Sequence, residues 1–95
     1  MLKLDERQNK LLNNIGNTSR LKILLALWKS NEELTIYKIC RFTGLKRKTV
    51  EHHLLKLIES ELILKKVYGE IPLYAINKKS HETNALIEFF NKLKI

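Results

Sequence analysis

Apolar residues along the chain recur first at helical and then at strand spacing. Leu4, Leu11, Leu12 and Ile15 share one helical period, and Gly16 follows as a helix stop. Asn17 is an N-cap residue. Behind it Leu21, Leu24, Leu25 and Trp28 predict an amphipathic helix from Thr18 to about Lys29, with Arg20, Lys22 and Lys29 outside. After the polar break Asn31-Glu32-Glu33, Thr35 can cap a short helix over Ile36 to Phe42 that stops at Thr43-Gly44. A fourth helix, from about Arg47 to Ser60, is predicted to bury Val50, Leu54, Leu57 and Ile58.

The period then falls to two. Leu62 to Tyr68 and Ile71 to Ile76 read as strands rich in β-branched and aromatic residues. Gly69-Glu70 between them suits a type II′ hairpin turn, whose first central residue is best glycine. Pro72 has no N–H, so it must face solvent or sit just past the ladder. Ser80 or Asn77 opens a last helix carrying Ala85, Leu86, Phe89, Phe90 and Leu93. Trp28, Phe42 and Tyr74 are expected in the core. The predicted fold class is mainly α with a small β-hairpin.

Composition bounds what such a chain can be. Ninety-five residues suit one domain, 1–95, and 44% apolar with 29% charged residues is a globular balance. The longest apolar run, Ile23 to Trp28, is far too short for a bilayer, and Asp5-Glu6 falls where a signal peptide would be apolar. No membrane association is expected. A lone Cys40 can form neither an intrachain disulfide nor a multi-cysteine zinc site, which fits a reducing, cytoplasmic setting. The abundance of Lys, Ile, Leu and Asn suggests an A·T-rich genome, archaeal or archaeal-viral.

Charge narrows the choice further. The net charge of +8 favours an anionic partner, most commonly nucleic acid. Its distribution says more than its sum. Between Leu34 and Val50 stand Lys38, Arg41, Lys46, Arg47 and Lys48 with no acid among them.

The same stretch, Leu34 to Leu57, is laid out as a helix-turn-helix. Cys40 is small enough for two helices to cross closely, Gly44 can take positive φ in the turn, and Ile39, Leu45, Val50 and Leu54 supply buried anchors. With the hairpin directly after it, the unit resembles a winged helix-turn-helix of the ArsR/MarR-like transcriptional regulators. Gly16-Asn17-Thr18-Ser19-Arg20-Leu21-Lys22-Ile23-Leu24 is similar to the opening of the preceding helix in ArsR-type chains. Thr49-Val50-Glu51-His52-His53-Leu54 is similar to their recognition helix, and Tyr68-Gly69-Glu70 with Leu73-Tyr74 to their wing. The likeness covers about residues 16 to 76. It implies a DNA-binding regulator, and the leading reading is a sequence-specific transcriptional regulator acting as a homodimer on double-stranded DNA, with the recognition helix in the major groove and the wing on the backbone. Three positions depart from the pattern. Lys46 stands where the family has Ser or Thr, Glu61 stands near the usual glycine, and Cys40 is single where metal sensors carry a cysteine pair. Metal sensing by that route is not expected, no cofactor is implied, and an effector is left unassigned.

On the recognition helix Lys48, His52 and Lys56 oppose the buried face, with Thr49 and Leu55 flanking. Arg47, Lys48, Thr49 and His52 are the candidates for groove contacts. Lys38, Arg41, Lys46, Lys56 and the wing residues Lys65 and Lys66 are those for phosphates. Glu51 opposes phosphate but could accept from cytosine N4. His53 is expected to be packed and hydrogen-bonded, and His52-His53 cannot chelate, because adjacent helical residues diverge by about 100°. No nucleophile-base pair, phosphate loop or carboxylate pair suggests an enzyme. Leu86, Phe89 and Leu93 follow a coiled-coil seam, with Phe90 turned towards the protein's own body, and Leu4, Leu11 and Ile15 form a second seam. These seven are the candidate dimer contacts. Two other readings remain open. An architectural DNA-coating protein would lack a preferred site, and a protein-interaction module would not bind DNA at low salt.

Overall fold

Side-chain caps set where most of the helices begin. In the computed structural model, which describes residues 2–95, α1 (Glu6–Ile15) opens on a capping box. Asp5 accepts from the Gln8 N–H, and the Gln8 side chain accepts from the Asp5 N–H. Asn17, Thr35 and Ser80 cap α2 (Thr18–Ser30), α3 (Ile36–Thr43) and α5 (His81–Leu93) by accepting from Arg20, Lys38 and Thr83. α4 (Arg47–Glu59) starts at Lys46, which contributes its backbone alone. Asn77, the other candidate for opening α5, is used elsewhere: its Nδ2 donates to the Glu61 carbonyl at 2.7 Å.

The helix stops differ in mechanism. Gly44 ends α3 in the left-handed region at φ 76°, its N–H donating to the Cys40 carbonyl. Glu61 takes the same kind of conformation after α4, at φ 61°. There the Leu62 N–H donates to Leu57 and the Glu61 N–H to Ile58, which is a Schellman motif built without glycine. Gly16 is not left-handed, with φ −79°. It is needed for room, since a Cβ would stand 2.9 Å from the Leu12 carbonyl oxygen. Leu4 precedes the Asp5 cap, so the expected seam from Leu4 to Leu11 does not run along one helix.

The core gathers around α2. This helix packs against α1, α3, α4 and the hairpin. Its deepest residues are Ile23, Leu24, Ala26 and Leu27; of the expected stripe Leu24 is buried, whereas Leu21, Leu25 and Trp28 are only partly so. A helix enclosed from several sides need not confine its apolar residues to one stripe. Val50, Leu54 and Leu57 of α4 enter the core as predicted, with Ile58 packed at its edge. Phe42 does not. It is 54% exposed: α3 buries Ile36 and Ile39, and although Phe42 follows Ile39 by three positions, it stands in the last turn of α3, about 120° round the helix from Ile36. Ala85 is likewise exposed, while α5 buries Thr83, Leu86 and Phe90.

β1 (Ile63–Tyr68) and β2 (Ile71–Ile76) pair antiparallel in the register Tyr68 opposite Ile71 and Ile63 opposite Ile76. In the turn Gly69 has φ 63° and Glu70 is not among the positive-φ residues, as type II′ requires. Leu34 adds a bridge on the far edge: its N–H and carbonyl bond Tyr74 at 2.8 and 2.9 Å. Tyr74 therefore points its backbone away from β1, and Pro72, two residues before it, does the same. Proline sits within the ladder opposite Val67 at no cost in inter-strand bonds. The described residues thus form five helices and a hairpin, the winged helix-turn-helix layout.

Candidate DNA-binding surface

Burial of one side of α4 dictates what the other side offers. With Val50 and Leu57 fully enclosed and Leu54 nearly so, Arg47, Lys48, Glu51, His52, Leu55 and Lys56 are all exposed. Thr49 is half-buried at the margin. Glu51, which would repel phosphate, lies 3.6 Å from the Arg47 guanidinium, and Lys56 lies 3.9 Å from Glu59. The His52 ring meets His53 edge-on with centroids 5.0 Å apart. Lys46 is exposed in the turn, and Lys38 and Arg41 are exposed on α3. Arg41 is held in place: its Nη1 donates to the Tyr37 hydroxyl at 3.0 Å, and its guanidinium lies over the Tyr37 ring.

The two wing lysines part company. Adjacent strand residues face opposite ways, and directly paired residues share a face. Lys65 is paired with Tyr74 and Lys66 with Leu73. Tyr74 is buried in the core, near enough to the first turns of α4 for their charges to act on it. Burial pushes its phenol up from the usual range, the Glu51 carboxylate adds to this, and Arg47 opposes it. Lys65 is thus on the α4 side of the wing. Lys66 is on the other, 3.5 Å from Glu33, which also accepts from the Tyr68 hydroxyl at 3.3 Å.

Behind α4 lies a polar chain that sequence reasoning missed. Arg20, expected on the outside of α2, is half-buried; its Nε donates to His53 Nδ1 at 3.0 Å and its Nη1 to Asn14 Oδ1 at 2.9 Å. Asn14, 3% exposed, in turn donates from Nδ2 to Ser60 Oγ at 2.9 Å. His53 is therefore the packed, hydrogen-bonded histidine anticipated. Its imidazole is held below the ordinary value, first by burial and then by the positive charges of Arg20 and His52. One signal was available in the sequence: Asn14 interrupts the stripe of Leu11 and Ile15 on α1.

The seven candidate dimer residues divide into two sets. Leu86 and Phe90 are core, Phe90 packing on Trp28 with ring centroids 5.8 Å apart. Ile15 packs against the core and Leu11 is half-buried. Leu4, Phe89 and Leu93 are more than half exposed, and Leu12 on α1 is half exposed. Arg7 of α1 reaches Glu82 of α5 at 3.0 Å, tying the terminal helices together. Among the described residues no three His, Cys, Asp or Glu gather as a metal site, and no helix is long and apolar enough to cross a membrane.

A helix-turn-helix whose second helix turns a basic face outward, followed by a hairpin, defines the class of winged-helix DNA-binding regulators. The family model described as bacterial regulatory protein, arsR family, matches residues 17–65, more than half of the chain. The chain belongs to the ArsR family, whose members are DNA-binding transcription factors and not enzymes. Among solved structures, NolR from Sinorhizobium fredii is similar with a TM-score of 0.78 and 22% identity, over 98% of this chain and 96% of that one. HlyU from Vibrio cholerae N16961 matches with a TM-score of 0.74 and 23% identity, over 98% and 97%. The transcriptional repressor PagR of Bacillus anthracis matches with a TM-score of 0.72 and 26% identity, over 90% and 93%. No curated protein sequence matches the chain.

Proposed function

We propose that this chain is a sequence-specific transcriptional regulator that binds double-stranded DNA as a homodimer, residues 1–95 acting as one domain. The observation that carries the reading is the outer face of α4, where Arg47 and Lys48 stand exposed at the end of the acid-free basic stretch and His52 and Lys56 continue the face past Glu51. In this reading α4 lies in the major groove. Arg47, Lys48, Thr49 and His52 meet base edges, while Lys38, Arg41, Lys46 and Lys56 meet phosphates. The wing rests on the backbone through Lys65. Lys66, engaged by Glu33, contributes less. The repressor PagR shares the fold and supports a regulatory role.

The terminal helices supply the dimer contacts. The only buried residue of α1 is the polar Asn14, so its apolar side chains find little cover on their own body. Leu4, Leu12, Phe89 and Leu93 supply exposed apolar area of the kind monomers seldom leave open. Leu11 and Ile15 stand beside them, and Leu86 and Phe90 support α5 from beneath. Two copies joined this way place two recognition helices on successive major grooves about 34 Å apart. Selection of bound sequences from random DNA is the test. A palindrome with half-sites about one helical turn apart is expected; an enriched pool no different from the starting one would overturn the reading.

A further inference from the structure

The charge pattern leaves one side chain on the outer face of α4 unexplained. Leu55 is 61% exposed. It follows His52 by three positions and Lys48 by seven, so Lys48, Glu51, His52 and Leu55 form an i, i+3, i+4, i+7 stripe. Homeodomain recognition helices set their base-contacting side chains at the same spacing. Leu55 cannot serve the core, which its neighbours Leu54 and Leu57 fill from the opposite side. A docking surface for another protein needs contiguous apolar area. Around Leu55 the exposed residues Lys48, Glu51, His52, Lys56 and Glu59 are charged or polar.

The major groove offers one apolar feature that a lone leucine can cover, the C5-methyl group of thymine. Cytosine would be rejected at the same place. It has no methyl there, and its N4 amino group would lose water against a side chain with no acceptor. A purine would leave its N7 acceptor unpaired in the same way. We propose that Leu55 reads a thymine through its C5-methyl group, so that each half-site carries an A·T pair opposite this part of α4. This rests on the reading of α4 as a major-groove helix.

The test uses the full chain and a site selected from random DNA. Each thymine is replaced in turn by deoxyuridine, which keeps the pairing and the O4 acceptor and lacks only the methyl. At one position in each half-site the wild-type protein is expected to lose about four-fold in affinity, the effect of one buried methyl. Leu55→Ala, which alters only an exposed side chain, is expected to bind thymine and uracil versions alike. Uracil tolerated at every position by the wild type, or an unchanged thymine preference in Leu55→Ala, would overturn the proposal. A preferred site that tolerates uracil removes the role of Leu55 alone. Selection that yields no preferred site overturns it together with the base-reading role of α4.

Discussion

His53 can accept from Arg20 only while its imidazole is neutral, so protonating it is coupled to folding. Its folded value lies below 6.5, so the unfolded chain takes up the proton first. Stability should be intact above that value, fall as pH drops through it, and level off below the folded value. Urea midpoints measured from about pH 8 down to about pH 5 should show the decline, and His53→Gln should flatten it. An identical decline in the variant would assign it to other groups. Glu61 offers a second check at this scale. It holds a left-handed conformation with a Cβ, so Glu61→Gly should stabilise by about 1 kcal/mol in the same unfolding assay. A loss of stability would mean that the glutamate side chain contributes more than its backbone costs. Residues such as these were unevenly legible. The departures at Lys46 and Glu61 could be read directly, because each depends on one residue alone: a side chain with no acceptor at Lys46 and a Cβ on a left-handed backbone at Glu61. The chain from Asn14 to Arg20 to His53 could not, since Arg20 and His53 are 33 positions apart, and Asn14 and Ser60 are 46 apart.

At the scale of elements, periodicity and caps were enough to place α2, α3, α4 and both strands within a residue or two. They were not enough to say which faces would be buried. The deep positions of α2 depend on how many neighbours surround it, and Phe42 is left outside by the short buried face of α3. The wing shows the same limit. Lys65 and Lys66 are alike in sequence and differ only because strand geometry sends one towards α4 and the other towards Glu33. Lys65→Ala should therefore weaken binding to all DNA alike, and Lys66→Ala should weaken it less. Lys48→Ala and His52→Ala should instead change which sequences are preferred, each costing about 1 to 3 kcal/mol at the selected site. Binding curves on matched and mismatched sites separate these outcomes. Uniform loss from the α4 variants would mean that the helix holds DNA without reading it. Lys46→Ser belongs here too. It supplies the missing cap of α4, so stability should rise by about 1 kcal/mol while the DNA face loses a charge.

For the whole molecule, the dimer and the DNA face have to be tested together. Phe89 and Leu93 are exposed on the single chain, so, if they form the proposed dimer contact, Phe89→Asp with Leu93→Asp should spare the core and yield a folded monomer by sedimentation. An unchanged dimer would place the contact elsewhere. The candidate dimer positions were legible as apolar seams, but not which of them the single chain would claim for itself. Leu86 and Phe90 could be assigned to the core only once α5 lay against Trp28. The central claim is that a basic face reads DNA, and salt tests it most directly. Affinity for the selected site and for bulk DNA should be measured at rising salt. With roughly six to ten phosphates neutralised by the dimer, both should fall by about a thousand-fold or more between about 50 and 200 mM, the selected site staying tighter throughout. A flat titration, or two curves that coincide, would contradict it.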